Sequence, residues 1–110
     1  MDTFFVTERK KDIIIKAGEN IAPREIEEVI YKFDKVSEAA VIGVEDPIYG
    51  QEIKAFVVLK PGETADEREI IDHCVERLKK FKSPKTVRFL DALPKSIVGK
   101  VLKKELRKML

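Results

Sequence analysis

Residues 53–61, IKAFVVLKP, constrain the fold of this chain more than any other stretch. Side chains alternate across an extended strand, so Ile53, Ala55, Val57 and Leu59 share one face while Phe56 and Val58 share the other. Both faces are partly apolar. A strand of that kind cannot leave one side in water, which predicts a sheet covered on both sides. Pro61 and Gly62 end the run. VSEAAVIGVED at 36–46 reads as a second strand, joined to the first by a turn in DPIYGQ, 46–51. TVRFLD at 86–91 reads as a third, shorter one.

The covering elements are legible as periodic stripes. Within PREIEEVIYKF, Ile26, Val29, Ile30 and Phe33 recur at i, i+3, i+4, i+7, an amphipathic helix. Pro23 opens it, where a missing N–H does no harm. Glu25, Glu27 and Glu28 fall in its first turns, where the helix dipole favours acids. A second helix follows Pro61-Gly62. Thr64-Ala65-Asp66-Glu67 fits a capping box. Ile70, Ile71, Cys74, Val75, Leu78 and Phe81 form the stripe of a helix running to about Lys80. VLKKELRKML, 101–110, predicts a closing helix with Leu102, Leu106, Met109 and Leu110 on one side. KDIIIK and the AGEN turn, 11–20, predict a small hairpin with Gly18 in its loop. The fold class expected is α+β: a small sheet of about three strands plus an N-terminal β-hairpin, with helices packed on the sheet.

Several chemistries are set aside by composition. One histidine, His73, cannot build a zinc site or a Ser-His-Asp triad; it falls beside the helical stripe, as a surface or boundary residue. One cysteine, Cys74, lies inside the stripe and reads as a buried packing thiol. It fits a reducing, cytoplasmic setting. No apolar run approaches the ~20 residues of a membrane span, and no secretory signal is visible. Charge is uneven. Residues 1–78 carry 11 basic and 18 acidic side chains, and residues 79–110 carry 11 and 2, so a net of −7 precedes a net of +9. Such a basic segment points to an anionic partner or to a solvated helix face. A nucleic-acid-binding domain is one alternative. It requires aromatics interleaved with the basic residues, and the segment offers only Phe81 and Phe89.

PKSIVGK at 94–100 places a glycine and lysine after an irregular loop. It is not a phosphate-cradling GxxxxGK[ST] loop, because Pro94 and Val101 stand where that motif needs glycine and a hydroxyl. Lys100 therefore has no cradle of its own. Three stretches taken together are more specific: RKKDIIIKAGENIAPREIEEV at 9–29, FKSPK at 81–85 and LPKSIVGKVLKKEL at 93–106. In this order and at these separations, they resemble the C-terminal domain of the adenylate-forming enzymes, in the fatty-acyl or aryl-CoA ligase branch.

The resemblance implies a division of labour. A large N-terminal domain binds ATP, with its magnesium, and the carboxylic acid; the small domain closes over it. Lys100 matches the lysine that contacts the carboxylate and α-phosphate during adenylation. After that step the small domain turns. The hairpin at 12–21 then helps form the channel for coenzyme A, and Gly18 matches the glycine lining that channel. Lys11 matches the hinge, and Arg9 matches an arginine near the nucleotide ribose and phosphates. FKSPK matches a region that meets the CoA nucleotide. Lys82 and Lys85 would face its 3′-phosphate, and Phe81 would either lie against adenine or end the buried stripe. Residues 1–7 would end the preceding domain or linker, and 8–110 would be the mobile C-terminal domain. ATP and CoA are then substrates, none bound by this domain alone, with no metal site in it. The partners are the N-terminal domain and CoA, with neither nucleic acid nor a transmembrane segment involved. Two departures stand out. Glu8-Arg9 replaces the usual Gly-Arg, and Val98 replaces the serine usual before Gly-Lys.

Overall fold

The computed structural model describes residues 12–109. Arg9, Lys11 and the stretch 1–7 lie outside the described residues. The elements follow the expected order. A two-stranded hairpin, β1 (Ile14–Lys16) and β2 (Glu19–Ile21), precedes helix α1 (Pro23–Tyr31). Strands β3 (Val36–Asp46) and β4 (Gly50–Leu59), helix α2 (Glu67–Arg77), a 3-10 turn at Lys80–Lys82, strand β5 (Thr86–Phe89) and helix α3 (Lys103–Arg107) complete it. The main sheet has the order β3-β4-β5, antiparallel then parallel.

The alternation in β4 does what its pattern requires. Ile53, Ala55 and Val57 are fully buried beneath α1, α2 and the hairpin, together with Ile14, Ile26, Ile30 and Ile70. Phe56 and Val58 point the other way, into a smaller cluster with Ala40, Ile42, Leu93 and Leu106. Burying a side chain of Phe56's size contributes about 2–3 kcal/mol, so the single α3 turn that carries Leu106 is enough to hold that face.

Both edge strands of the main sheet have a backbone donor tied down by a helical carboxylate. Glu27 of α1 accepts from the Val41 N–H on β3 at 2.9 Å, and Glu67 of α2 accepts from the Val87 N–H on β5 at 2.6 Å. An unpaired donor on a buried edge is costly, and these acids remove the cost.

That use of Glu67 explains a correction at the start of α2. The box is formed by Asp66 and Glu69, not by Thr64 and Glu67. The Glu69 N–H donates to Asp66 Oδ1 at 2.9 Å and the Asp66 N–H donates to Glu69 Oε1 at 3.0 Å. Both spacings fit the motif, but Glu67 is committed to β5. The helix also ends at Arg77, short of Lys80, because Leu78 turns to an extended conformation. Its buried arc is rotated from the expected one. Val75 is exposed, whereas His73 is only 6% exposed. The histidine is therefore no boundary residue: Nε2–H donates to the Val29 carbonyl at 2.7 Å, and its ring meets the edge of Phe33. The location of α1, which the α2 sequence does not encode, sets that rotation. Cys74 is fully buried as expected, and burial pushes its thiol up to about 11.

Candidate functional site

The hairpin turns through Ala17 and Gly18, whose φ angles are +51° and +82°. Left-handed backbone at both central residues is the geometry of the tight two-residue turn that matches strand twist. Glycine adopts it freely, while alanine incurs roughly 1–2 kcal/mol. The turn is held by its surroundings: the Ala17 N–H donates to the Tyr49 carbonyl at 2.8 Å, and the Ile15 N–H donates to Gln51 Oε1 at 2.7 Å. A Cβ built on Gly18 meets nothing within 4 Å, so the turn faces open space. Gly43 is different. A Cβ there would stand 3.1 Å from Ile14 and from Gln51, so the hairpin lies against bare backbone.

Beside the turn lies an open groove of about 1030 Å³, between the β3–β4 turn, α2 and the 80–85 segment. Tyr49, Arg68, Lys80, Phe81, Pro84 and Lys85 are among its walls. At its base the Lys16 ammonium is 2.8 Å from Glu52 Oε2 and donates to the Phe81 carbonyl at 2.8 Å. It also lies 4.5 Å from the centre of the Phe81 ring and 5.1 Å from that of Tyr49. Phe81 thus does not finish the α2 stripe. It sits in the 3-10 turn, partly buried against the core, facing the hairpin. Lys85 lines the groove and pairs with Asp46 at 3.8 Å, while Lys82, outside its walls, faces Glu25 at 3.6 Å. Lys16, Tyr49 and Lys80 are members that sequence reading missed. The only local signal was that Lys16 occupies an inward position of a β-branched strand.

The 94–101 segment, expected as an irregular loop, is laced into a small closed one. Lys95 bridges to Val101, the Gly99 N–H donates to the Ser96 carbonyl at 2.9 Å, and the Leu102 N–H donates to the Pro94 carbonyl at 2.9 Å. Ser96 Oγ accepts from the Lys100 N–H at 3.2 Å. Gly99 takes φ +88° to close the turn. Ile97 and Val98 stand fully out from the surface at its tip. The Lys100 side chain is exposed, and among the described residues it has neither hydrogen bond nor ion pair. An ammonium held out on an ordered loop is available to an anion outside this domain.

The loop and the α3 helix after it are anchored by ion pairs that cross the sequence. Lys95 meets Glu38 at 2.7 Å, Lys103 meets Glu27 at 3.0 Å and Arg107 meets Asp12 at 3.3 Å. With Lys82–Glu25 and Lys85–Asp46, five basic residues of the +9 segment face acids of the −7 segment. The charge asymmetry is thus in part a folding pattern. Phe81 and Phe89 both pack against the core, so the nucleic-acid alternative loses its stacking platform. No three His, Cys, Asp or Glu side chains converge to hold a metal ion among the described residues. No helix among them is long and apolar enough to cross a membrane.

Comparison with known proteins places these features in a family context. Residues 25–100 match the family described as the AMP-binding enzyme C-terminal domain. The chain is 47% identical over 98 residues to a sulfoacetate–CoA ligase of Cupriavidus necator, covering 89% of this chain and 19% of that protein. It is 47% identical over 103 residues to a long-chain-fatty-acid–CoA ligase of Bacillus subtilis, covering 94% and 18%. The crystal structure of ATP-bound MatB from Rhodopseudomonas palustris superposes with a TM-score of 0.88 at 42% identity, covering 92% of this chain and 20% of that one. The chain therefore spans about a fifth of the length of these relatives.

Proposed function

The chain belongs to the AMP-binding enzyme C-terminal domains, and from that premise we propose that it is the mobile domain of an ATP-dependent acyl-CoA synthetase. In this reading residues 8–110 form the mobile unit, with Lys11 as its hinge and Arg9 beside the nucleotide. The remainder of the enzyme binds ATP and the carboxylic acid.

The observation that carries the reading is the separation of two exposed, glycine-closed turns. The Lys100 loop is tied to Glu38 near the start of β3, whereas the Gly18 turn is tied to Tyr49 just past its end, beyond Asp46. Glu38 and Asp46 are eight residues apart, about 26 Å at ~3.3 Å per residue. One rigid domain cannot offer both turns to the same reacting centre at once. A rotation between two half-reactions removes the conflict.

In the first half-reaction a carboxylate oxygen attacks the α-phosphorus of ATP and pyrophosphate leaves. Two anions must meet, and the Lys100 ammonium, brought in by closure, offsets their repulsion as charge develops on phosphorus. In the second, the CoA sulfur attacks the acyl carbon and AMP leaves. The Gly18 turn then borders the thiol channel, where a side chain would narrow the passage. The groove beside it takes the CoA nucleotide, with Lys85 and Lys82 toward the phosphate and Phe81 at the wall.

The test separates the half-reactions in the complete enzyme. Lys100→Ala is expected to lower acid-dependent pyrophosphate exchange by about 100-fold or more. Its reaction of pre-made acyl-adenylate with CoA should stay near wild type. Gly18→Leu should do the reverse. If both substitutions slow the same half-reaction only, the two-turn scheme is wrong.

A further inference from the structure

Lys16 is a buried cation with no part in the reaction described above. Only 5% of its surface is exposed, and Glu52 is equally buried. Its ammonium meets three separate parts of the fold. It pairs with Glu52 on β4, donates to the carbonyl of Phe81 in the 3-10 turn, and also rests near the Tyr49 ring of the β3–β4 turn. Lys16 itself ends β1 and directly precedes the strained Ala17-Gly18 turn.

Stability alone does not account for this arrangement. Removing an ammonium and a carboxylate from water costs several kcal/mol per ion, and an apolar pair of equal volume is often as stable or more so. An apolar side chain, however, would not fix direction. Ammonium donors aimed at Glu52 and at one carbonyl set the place of the turn relative to the 80–85 segment.

We propose that Lys16 is a positioning residue for thioester formation: its buried ammonium, paired with Glu52 and bonded to the Phe81 carbonyl, locks the Gly18 turn to the groove wall. The thiol channel and the nucleotide groove then move as one body when the domain turns. This rests on the acyl-CoA synthetase reading. Lys16 sits at the base of the groove assigned to the nucleotide and has no role at the reacting atoms. It acts through the two segments it joins.

The experiment uses the complete enzyme carrying Lys16→Met with Glu52→Gln, so that no lone charge stays buried, and in parallel Lys16→Arg. Three quantities are read: pyrophosphate exchange, kcat and KM for CoA with pre-made acyl-adenylate, and melting temperature. A displacement of the turn by about 1 Å costs up to ~100-fold in rate. The expected result is a 10- to 100-fold loss of kcat in the thioester step, with pyrophosphate exchange within about twofold of wild type. Lys16→Arg, which keeps the charge and the donors, should recover most of the loss. Wild-type thioester kinetics in the double variant would overturn the proposal. So would an equal loss in both half-reactions together with a lowered melting temperature, since that pattern belongs to a purely structural pair. A wild-type enzyme forming no thioester would overturn the synthetase reading itself, and the lock with it.

Discussion

Replacing Glu27 with alanine removes one side chain that serves two partners. Its Oε2 accepts from the Val41 N–H at 2.9 Å and pairs with Lys103 at 3.0 Å. Val41 is fully buried on an edge strand, so its donor finds no alternative acceptor without admitting water. A buried donor left unpaired costs about 1–3 kcal/mol, more where the lost acceptor was charged. The Lys103 pair, with both side chains under one-fifth exposed, adds about 0.5–1 kcal/mol. Glu27→Ala is therefore expected to cost about 3 kcal/mol. Glu27→Gln keeps an oxygen for Val41 and loses only the charge, which costs about 1 kcal/mol. For a chain of this size 1 kcal/mol corresponds to about 4 °C, giving Tm losses of about 12 °C and 4 °C. Urea unfolding of the 110-residue chain measures both, and Lys103→Met closes a double-mutant cycle with a coupling of about 1 kcal/mol. Equal losses for alanine and glutamine would refute the edge-strand argument, leaving the ion pair as all that Glu27 contributes.

Two further outcomes follow from perturbed side chains. Backbone N–H groups of Tyr49 and Ile48 donate to Asp46, and with Lys85 nearby they hold its carboxyl below the ordinary carboxylate value. The folded state then binds fewer protons than the unfolded chain. The resulting stabilisation is full above the unfolded pKa and is lost as pH falls through the lower folded value. Asp46→Asn should flatten the acid limb of the stability profile, and an unchanged limb would contradict this. Burial raises the Cys74 thiol to about 11, so it should resist alkylation at pH 8 in the folded chain and react fully once unfolded. Between the unfolded pKa of roughly 8.5 and that raised value, the folded state holds the extra proton, so stability should decline as pH rises. Rapid alkylation of the folded chain would show the helix stripe to be misplaced.

The faces of β4, the stripe of α1, the Gly18 hairpin and the three-part motif were all legible in the sequence, because each is a local pattern of period two, period 3.6 or turn chemistry. The exposed Lys100 was legible too, since its loop offers it no partner nearby. What the sequence could not decide was every choice between equivalent local options. Thr64 and Asp66 both suit a cap, and Glu67 settles the matter by bonding β5, 20 residues away. Val75 fits the α2 stripe and His73 falls beside it, yet the placement of α1 buries the histidine and exposes the valine. The +9 segment reads equally as a binding surface or a solvated helix face until folding sets Glu25, Glu27, Glu38, Asp46 and Asp12 against part of it. Lys16 sits at an inward strand position with no partner legible nearby, and it closes against a carboxylate 36 residues on and a carbonyl 65 residues on. Periodicity records which way a side chain points, whereas its partner depends on distances that exist only after the chain has closed on itself.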